Sequence, residues 1–112
     1  MSKNVRDIQS VAEFEQLISQ RATPVVVDFW APWCGPCQAF GSILEKAAVA
    51  LGDDAIIAKV NVDDLRDIAL QYRVTSIPTV LYFADGNLQH REAGLVQESA
   101  IVDRVNGLTA QA

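Results

Sequence analysis

The chain holds two cysteines, and they stand three positions apart in the stretch Trp33-Cys34-Gly35-Pro36-Cys37. Residues at this spacing lie on one face of a helix, so the two thiols are close enough to close a disulfide between themselves. Such a pair can hold or release two electrons. Since two cysteines are too few for a disulfide scaffold, the spacing predicts transient thiol–disulfide redox chemistry rather than a structural bridge.

The pair is placed where an apolar strand gives way to a helix. Residues 24–30 are apolar except for Asp28, which predicts a buried strand. Beyond the cysteines, apolar residues recur at helical spacing from Phe40 to Leu51, and Gly52 is the residue type that commonly follows a helix end. The cysteines are therefore predicted at the first turn of a helix.

This placement predicts different roles for the two thiols. At a helix start, unpaired backbone N–H groups and the positive end of the helix dipole favour a thiolate at Cys34, which makes it the attacking group. Cys37, one turn deeper, then resolves the mixed disulfide and releases the reduced product. Pro36 fixes its own backbone angle within the first turn, so it stiffens the spacing of the two sulfurs.

The remaining pattern predicts one domain over residues 1–112, in which helices alternate with strands. The nearly continuous apolar runs at 25–27 and 55–60 are typical of parallel strands covered on both faces. By contrast, Asp85-Gly86-Asn87 is a hairpin signal, so the last two strands are expected to be antiparallel. The pattern therefore predicts an α/β fold with a mixed sheet, but it does not predict the order of the strands.

Local signals bound most of these elements. Ser10 followed three positions later by Glu13 predicts a capping box at the start of a first amphipathic helix, which ends before Thr23. Strands are predicted near 4–8, 24–30, 55–62, 78–84 and 88–93, and further helices near 34–51, 64–72 and 97–107.

Four stretches of the chain resemble signature motifs of the thioredoxin family. They are Phe29-Trp30-Ala31-Pro32-Trp33-Cys34-Gly35-Pro36-Cys37, Lys59-Val60-Asn61-Val62-Asp63, Ser76-Ile77-Pro78-Thr79 and Gly94. The resemblance covers nearly the whole sequence. It implies the α/β thioredoxin fold, a central five-stranded mixed sheet flanked by four helices, with the cysteines at the carboxyl end of a middle strand. Two residues depart from the pattern: Gln38 stands where many members carry a basic residue, and Ser42 where many carry a helix-kinking proline.

The resemblance also implies an activity. It is that of a thiol–disulfide oxidoreductase, a protein-disulfide reductase that reduces disulfides in client proteins through Cys34 and Cys37. A thioredoxin-reductase-type reductant then restores the dithiol, and no cofactor is implied beyond the redox-active Cys34–Cys37 disulfide. Two alternatives stay open: a binding subunit of the same fold whose cysteines are dispensable, and a protein disulfide oxidant or isomerase. Gly-Pro between the cysteines argues against the oxidant and the isomerase.

Asp28 is the one charged residue in its strand, and burial there raises the pKa of a carboxyl group by disfavouring the ionised form. A buried Asp28 is able to exchange a proton with Cys37, a role that the resemblance also implies. The alternative is an ordinary strand-end carboxylate paired with Lys59. Beside a buried acid, Lys59 lowers the pKa of that acid in opposition to desolvation; a snorkelling surface lysine is the other interpretation.

Pro78 lies at the predicted start of a strand, one of the few places where a sheet admits proline without any functional reason. The resemblance implies a cis Ile77–Pro78 bond that faces the cysteines and leaves Ile77 backbone groups to an extended client segment. Trp30 is predicted to pack in the core and Trp33 to be exposed. The predicted substrate-binding surface around Cys34 is mostly uncharged and comprises Trp33, Gly35, Pro36, Ile77, Pro78 and Gly94.

Composition argues against several other classes. A formal net charge of −5 without a Lys/Arg cluster disfavours nucleic acid and acidic membrane surfaces as partners. We find no apolar run long enough to span a membrane and no secretory signal, so we expect a cytoplasmic protein, and we expect it to be a monomer. No second cysteine pair exists to complete a metal site. His90, the single histidine, is predicted to be a solvated surface residue rather than a ligand or base.

Overall fold

A computed structural model of the chain describes residues 4–110, and the side chains of residues 4–108. Its elements in chain order are β1 (Val5–Asp7), α1 (Val11–Ile18), β2 (Val25–Trp30), α2 (Gly35–Leu51), β3 (Ile56–Asn61), α3 (Arg66–Gln71), β4 (Thr79–Ala84), β5 (Asn87–Ala93) and α4 (Glu98–Ala110). A short 3-10 turn, Gly52–Asp54, follows α2. Both ends of the predicted domain, residues 1–3 and 111–112, lie outside the described part.

The five strands form one sheet in the order β1-β3-β2-β4-β5. β1, β3 and β2 run parallel, whereas β4 is antiparallel to both β2 and β5. The predicted five-stranded mixed sheet with four helices is therefore confirmed, and the cysteines follow the carboxyl end of its central strand. Most boundaries differ from expectation by one or two residues: Pro78, for example, precedes β4 rather than opening it. The largest difference is at α4, which runs to Ala110 rather than ending near residue 107.

Helices cover both faces of the sheet, and each face has its own core. Val26 of β2 packs on the side of α2 and α4, whereas Val25 and Val27 pack on the side of α1 and α3. Because successive residues of a strand alternate between faces, Asp28 and Trp30 share the α2 side with Val26. The sheet therefore directs both of these side chains toward the helix that carries the cysteines.

The hairpin between β4 and β5 turns at Asp85 and Gly86. It lies beside the start of β2, at the end of the sheet remote from the cysteines. Both turn residues have positive φ angles, 55° and 78°. Two successive positive φ angles are typical of a type I′ turn, whose twist matches that of the strands it joins. The prediction of an antiparallel hairpin is confirmed.

The start of α1 is capped largely as predicted. Ser10 Oγ accepts the N–H of Glu13 at 3.1 Å, and Glu13 Oε1 accepts the N–H of Gln9 at 2.7 Å. In a capping box the returning bond reaches the cap residue itself, so here it extends one residue further back. Two backbone donors are satisfied by these bonds, and the first turn of the helix is fixed.

A polar cluster joins the sheet to α4. The Tyr82 hydroxyl donates to Glu92 Oε1 at 2.7 Å, and Glu92 Oε2 lies 3.5 Å from an Arg104 nitrogen and 3.5 Å from Nε2 of His90. The prediction of a solvated His90 is wrong: 34% of its side chain is exposed, and its ring lies 5.7 Å from that of Tyr82. His90 is partly buried because of tertiary packing: α4 lies beside β5 and brings Arg104 next to His90.

We expect Tyr82→Phe to lower the free energy of unfolding by about 1–2 kcal/mol, because it leaves Glu92 Oε1 without the hydroxyl donor of a fully buried side chain. Chemical denaturation of the oxidised protein measures this change. Tyr72→Phe is the matched control, since the Tyr72 ring keeps its packing against Phe14 and Phe83. Equal losses in the two variants would count against a stabilising role for the Tyr82 bond.

Candidate active site

The loop after β2 places Cys34 at the start of α2. The Cys34 N–H donates to the carbonyl oxygen of Ala31 at 3.1 Å, and its extended backbone makes Cys34 the N-cap of the helix. Its Sγ accepts the backbone N–H of Cys37 at 3.1 Å. Pro36 lies in the first turn between them and has no N–H to donate. The predicted position of Cys34 at a helix start is confirmed.

Cys34 and Cys37 form a disulfide, with 5.2 Å between their Cα atoms. The described structure is therefore the oxidised form. Both residues lie on the buried face of the first turn, with 6% of Cys34 and 3% of Cys37 exposed, while Gly35 and Pro36 between them are exposed. Of the two cysteines, Cys34 has the larger solvent-exposed fraction, and Cys37 is more deeply covered by protein.

The peptide bond between Ile77 and Pro78 is cis. Ile77 packs against the cluster that contains both cysteines, and its carbonyl oxygen lies 3.8 Å from Cys34 Sγ. The Gly94 N–H donates to the carbonyl oxygen of Pro78 at 2.8 Å, and Gly94 itself has a φ of +88°. The fold thus brings the loop before β4 and the end of β5 to the disulfide. The role of these residues in binding a client stays a prediction.

The two tryptophans of the active-site stretch differ in exposure. Trp30 is half-buried and packs against the cluster that contains both cysteines, whereas 70% of Trp33 is exposed, as predicted. The Trp33 indole N–H donates to Asp63, at 3.0 Å to Oδ2 and 3.3 Å to Oδ1. Sequence reasoning missed Asp63 as a site residue, although it ends one of the family-like motifs. The predicted binding residues, called the docking surface below, are Trp33, Gly35, Pro36, Ile77, Pro78 and Gly94.

Asp28 is fully buried between the sheet and α2. Neither of its carboxylate oxygens has a hydrogen-bond partner among the described residues. Burial raises the pKa of Asp28 to about 7, and attraction to Lys59 opposes this rise by a smaller amount. Both directions agree with expectation. The carboxyl group is therefore able to take up and release a proton near neutral pH.

Lys59 is the register partner of Asp28 on β3. Within the described part of the chain no ion pair joins the two side chains; instead, Lys59 Nζ lies 4.2 Å from the centre of the Trp30 ring, a cation–π contact. The interpretation of Asp28 as an ordinary carboxylate paired with Lys59 is therefore wrong. Lys59 and Trp30 also line an open cleft of about 360 Å³ with Asn61 and Asp64, which brings solvent to this side of the site.

The two residues that depart from the family pattern are both exposed on α2. Gln38 Nε2 donates to the carbonyl oxygen of Pro32 at 3.1 Å, so an uncharged amide is held beside the cysteine loop. The helix runs unbroken through Ser42. The dithiol consequently lacks a basic residue directly after Cys37.

Metal ligation finds no support in the described residues. No group of three or more His, Cys, Asp or Glu side chains among them is arranged to hold a metal ion. Within the same part of the chain, no helix combines the length and the apolar character needed to cross a membrane.

Residues 6–107 match the family model described as Thioredoxin. The chain belongs to the thioredoxin family. The thioredoxin of Mycoplasma genitalium is 41% identical over 102 residues, which make up 91% of this chain and 98% of that protein. The chloroplastic M-type thioredoxin of Spinacia oleracea is 35% identical over 106 residues, which cover 93% of this chain but 59% of that protein. The solved oxidized form of mitochondrial thioredoxin 3 from Saccharomyces cerevisiae has a TM-score of 0.83 and 33% identity, over 93% of this chain and 95% of that one.

Family membership and the close cysteine pair together give the activity. The protein is a thiol–disulfide oxidoreductase, a protein-disulfide reductase of thioredoxin type whose redox-active group is the Cys34–Cys37 disulfide. Thioredoxins act on disulfide-containing targets, are restored by a reductase and need no separate cofactor. The fold and the activity expected from the sequence are confirmed.

Proposed function

We propose that the protein reduces client disulfides in two steps, with Asp28 as the proton acceptor. First, the Cys34 thiolate attacks one client sulfur, the client S–S bond breaks, and the other client sulfur leaves as a thiolate. Next, Cys37 gives its proton to the Asp28 carboxylate and attacks Cys34 Sγ, which breaks the mixed disulfide and releases the second client thiolate. The client gains two electrons, and the cysteine pair loses them by forming its own disulfide.

The observation that carries this reducing direction is how few groups stabilise the Cys34 sulfur. One backbone N–H, that of Cys37, bonds it, and Pro36 in the same turn has none to offer. Strong stabilisation of the thiolate favours the reduced form and makes a dithiol oxidising. A modestly stabilised Cys34 therefore supports a reductant.

The proposal extends to partners and place of action. Trp33, Ile77 and Gly94 offer uncharged groups beside Cys34, which supports the binding of an extended client segment along the docking surface. A thioredoxin-reductase-type enzyme then returns the electrons, so that the protein carries electrons from this reductant to clients. One domain supplies the cysteines and the buried acid, which supports a monomer. A dithiol that must be re-reduced after each cycle supports a reducing compartment, and we propose the cytoplasm.

The reduction potential of the Cys34–Cys37 pair tests the proposed direction. We expect the pair, equilibrated with glutathione or dithiothreitol buffers and followed by tryptophan fluorescence, to have a potential below about −260 mV, the reducing end of the range that biochemical extraction gives for the cytosolic glutathione pool. A potential of about −180 mV would instead indicate an oxidant or isomerase. Cys34→Ser is the control, because it must show no redox transition.

A further inference from the structure

Two neighbouring loops bring a carboxylate to the edge of the docking surface. β2 and β3 run parallel with Trp30 opposite Asn61, so the residues that follow each strand meet at one edge of the sheet. There the Trp33 indole N–H bonds the Asp63 carboxylate. Asn61 Oδ1 also accepts the Asp63 N–H at 2.9 Å, which fixes the backbone beneath that carboxylate. Asp63 is therefore held in place from both its side chain and its backbone.

This carboxylate keeps most of its capacity to bind. A carboxylate offers about four acceptor positions, and a single indole N–H shared between its two oxygens leaves the others open. Asp63 is exposed, as is the Trp33 ring that it holds. Within residues 4–108, Asp63 is the one charged side chain that hydrogen-bonds a member of the docking surface. Its negative charge is not offset by Gln38, whose amide is neutral and held at Pro32.

We propose that Asp63 is a specificity-determining residue that favours client disulfides flanked by Lys or, especially, Arg. The proposal rests on the proposed function, since it concerns which clients the same dithiol reduces. A client segment seated over Trp33 places its flanking side chains near the Asp63 carboxylate, which attracts a cation and repels an anion. Arginine fits best because its planar group can donate two parallel hydrogen bonds to a carboxylate. The overall charge of −5 adds attraction of the same sign at longer range.

Three synthetic peptides test the proposal, each with one disulfide and with Arg, Ser or Glu at the flanking positions. The measured quantity is the second-order rate constant with which each peptide oxidises the reduced protein, followed by tryptophan fluorescence at low ionic strength. We expect the Arg peptide to react about three- to fivefold faster than the Glu peptide, and this ratio to fall as salt is added. In Asp63→Asn, which keeps a side-chain oxygen for the Trp33 N–H but loses the charge, we expect a ratio near one.

Asp85→Asn is the matched control, because it removes one negative charge at the opposite end of the sheet. It should keep the wild-type ratio. An unchanged ratio in Asp63→Asn, or an equal drop in Asp85→Asn, would overturn the proposal. A shift of Trp33 alone would change all three rates together and leave the ratio intact. If the Ser peptide fails to oxidise the wild-type protein at all, the proposed function itself is wrong, and that outcome is distinct from equal rates for the three peptides.

Discussion

Cys34→Ser is expected to reduce the protein-disulfide reductase rate to the uncatalysed background. The hydroxyl that replaces the thiol cannot form a mixed disulfide, so no later step is reached. The effect is all-or-none because the chain has no third cysteine to take over the attack. Reduction of a disulfide-containing protein such as insulin, with dithiothreitol as the electron donor, measures the loss.

Cys37→Ser is the informative companion to this variant. It keeps the attacking thiol at the helix start but removes the group that resolves the mixed disulfide. We expect it to accumulate a covalent adduct with a disulfide peptide, visible by mass spectrometry and reversed by dithiothreitol. Full activity in Cys34→Ser would contradict the redox assignment. Retention of a partner protein by a variant with serine at both positions would support the binding-subunit alternative.

Asp28→Asn is expected to make the protein more stable at alkaline pH. The folded-state pKa of Asp28 is about 7, above its unfolded value of 3.8, so the folded state binds this proton more tightly. Below pH 4 both states are protonated and the carboxyl group adds no penalty. Between pH 3.8 and 7 the unfolded state gives up this proton while the folded state keeps it, so stability falls progressively with rising pH, and a shift of this size corresponds to a total loss of about 4 kcal/mol.

Paired unfolding experiments at pH 4 and pH 8 test this expectation on the oxidised protein. The wild type should lose about 4 kcal/mol more than Asp28→Asn between the two pH values. Asp85→Asn is the control, since Asp85 is exposed and its loss should leave the wild-type pH dependence in place. Parallel pH profiles for the wild type and Asp28→Asn would mean that the buried carboxyl group does not titrate in this range.

The same Asp28 variant should be slower in catalysis. If Asp28 accepts the Cys37 proton, its replacement removes a general base from the resolving step, and a loss of about 100-fold in that step is expected. The rate of the wild type should also rise with pH around 7, and this dependence should be absent in the variant. If Asp28→Asn is more stable but resolves the mixed disulfide more slowly, the Asp28 carboxylate contributes to the reaction while it lowers the stability of the folded protein.

Local signals in the sequence were sufficient for much of this fold. The Ser10 cap and the Asp85-Gly86 turn depend on residues within a few positions of one another, and the helix after Cys34 follows from the spacing of its apolar residues. The order of the strands in the sheet could not be predicted from such local signals. It depends on pairings between segments far apart in the chain, which the pattern within each segment does not contain.

The errors and omissions at the site have the same origin. Trp33 and Asp63 are 30 positions apart, and they meet only because β2 and β3 pair in one particular register. His90 is partly buried because α4 brings Arg104 beside it. Burial of Asp28, in contrast, could be predicted, because a single acid within a continuous apolar strand has no exposed face to occupy. Its lack of an ion pair with Lys59 could not.

The burial of Cys37 affects how the electron donor and the electron acceptor reach the cysteine pair. Since Cys37 is less exposed than Cys34, the proposed mechanism has every partner reach the sulfurs at Cys34, across the docking surface. In that mechanism the electron donor and the electron acceptor would compete for one binding surface and would not bind at the same time. Turnover would then alternate between oxidation by a client and reduction by the reductase, and an excess of either partner would delay the other. The concentration ratio of the two partners, as much as the affinity for each, would then determine the rate of electron transfer.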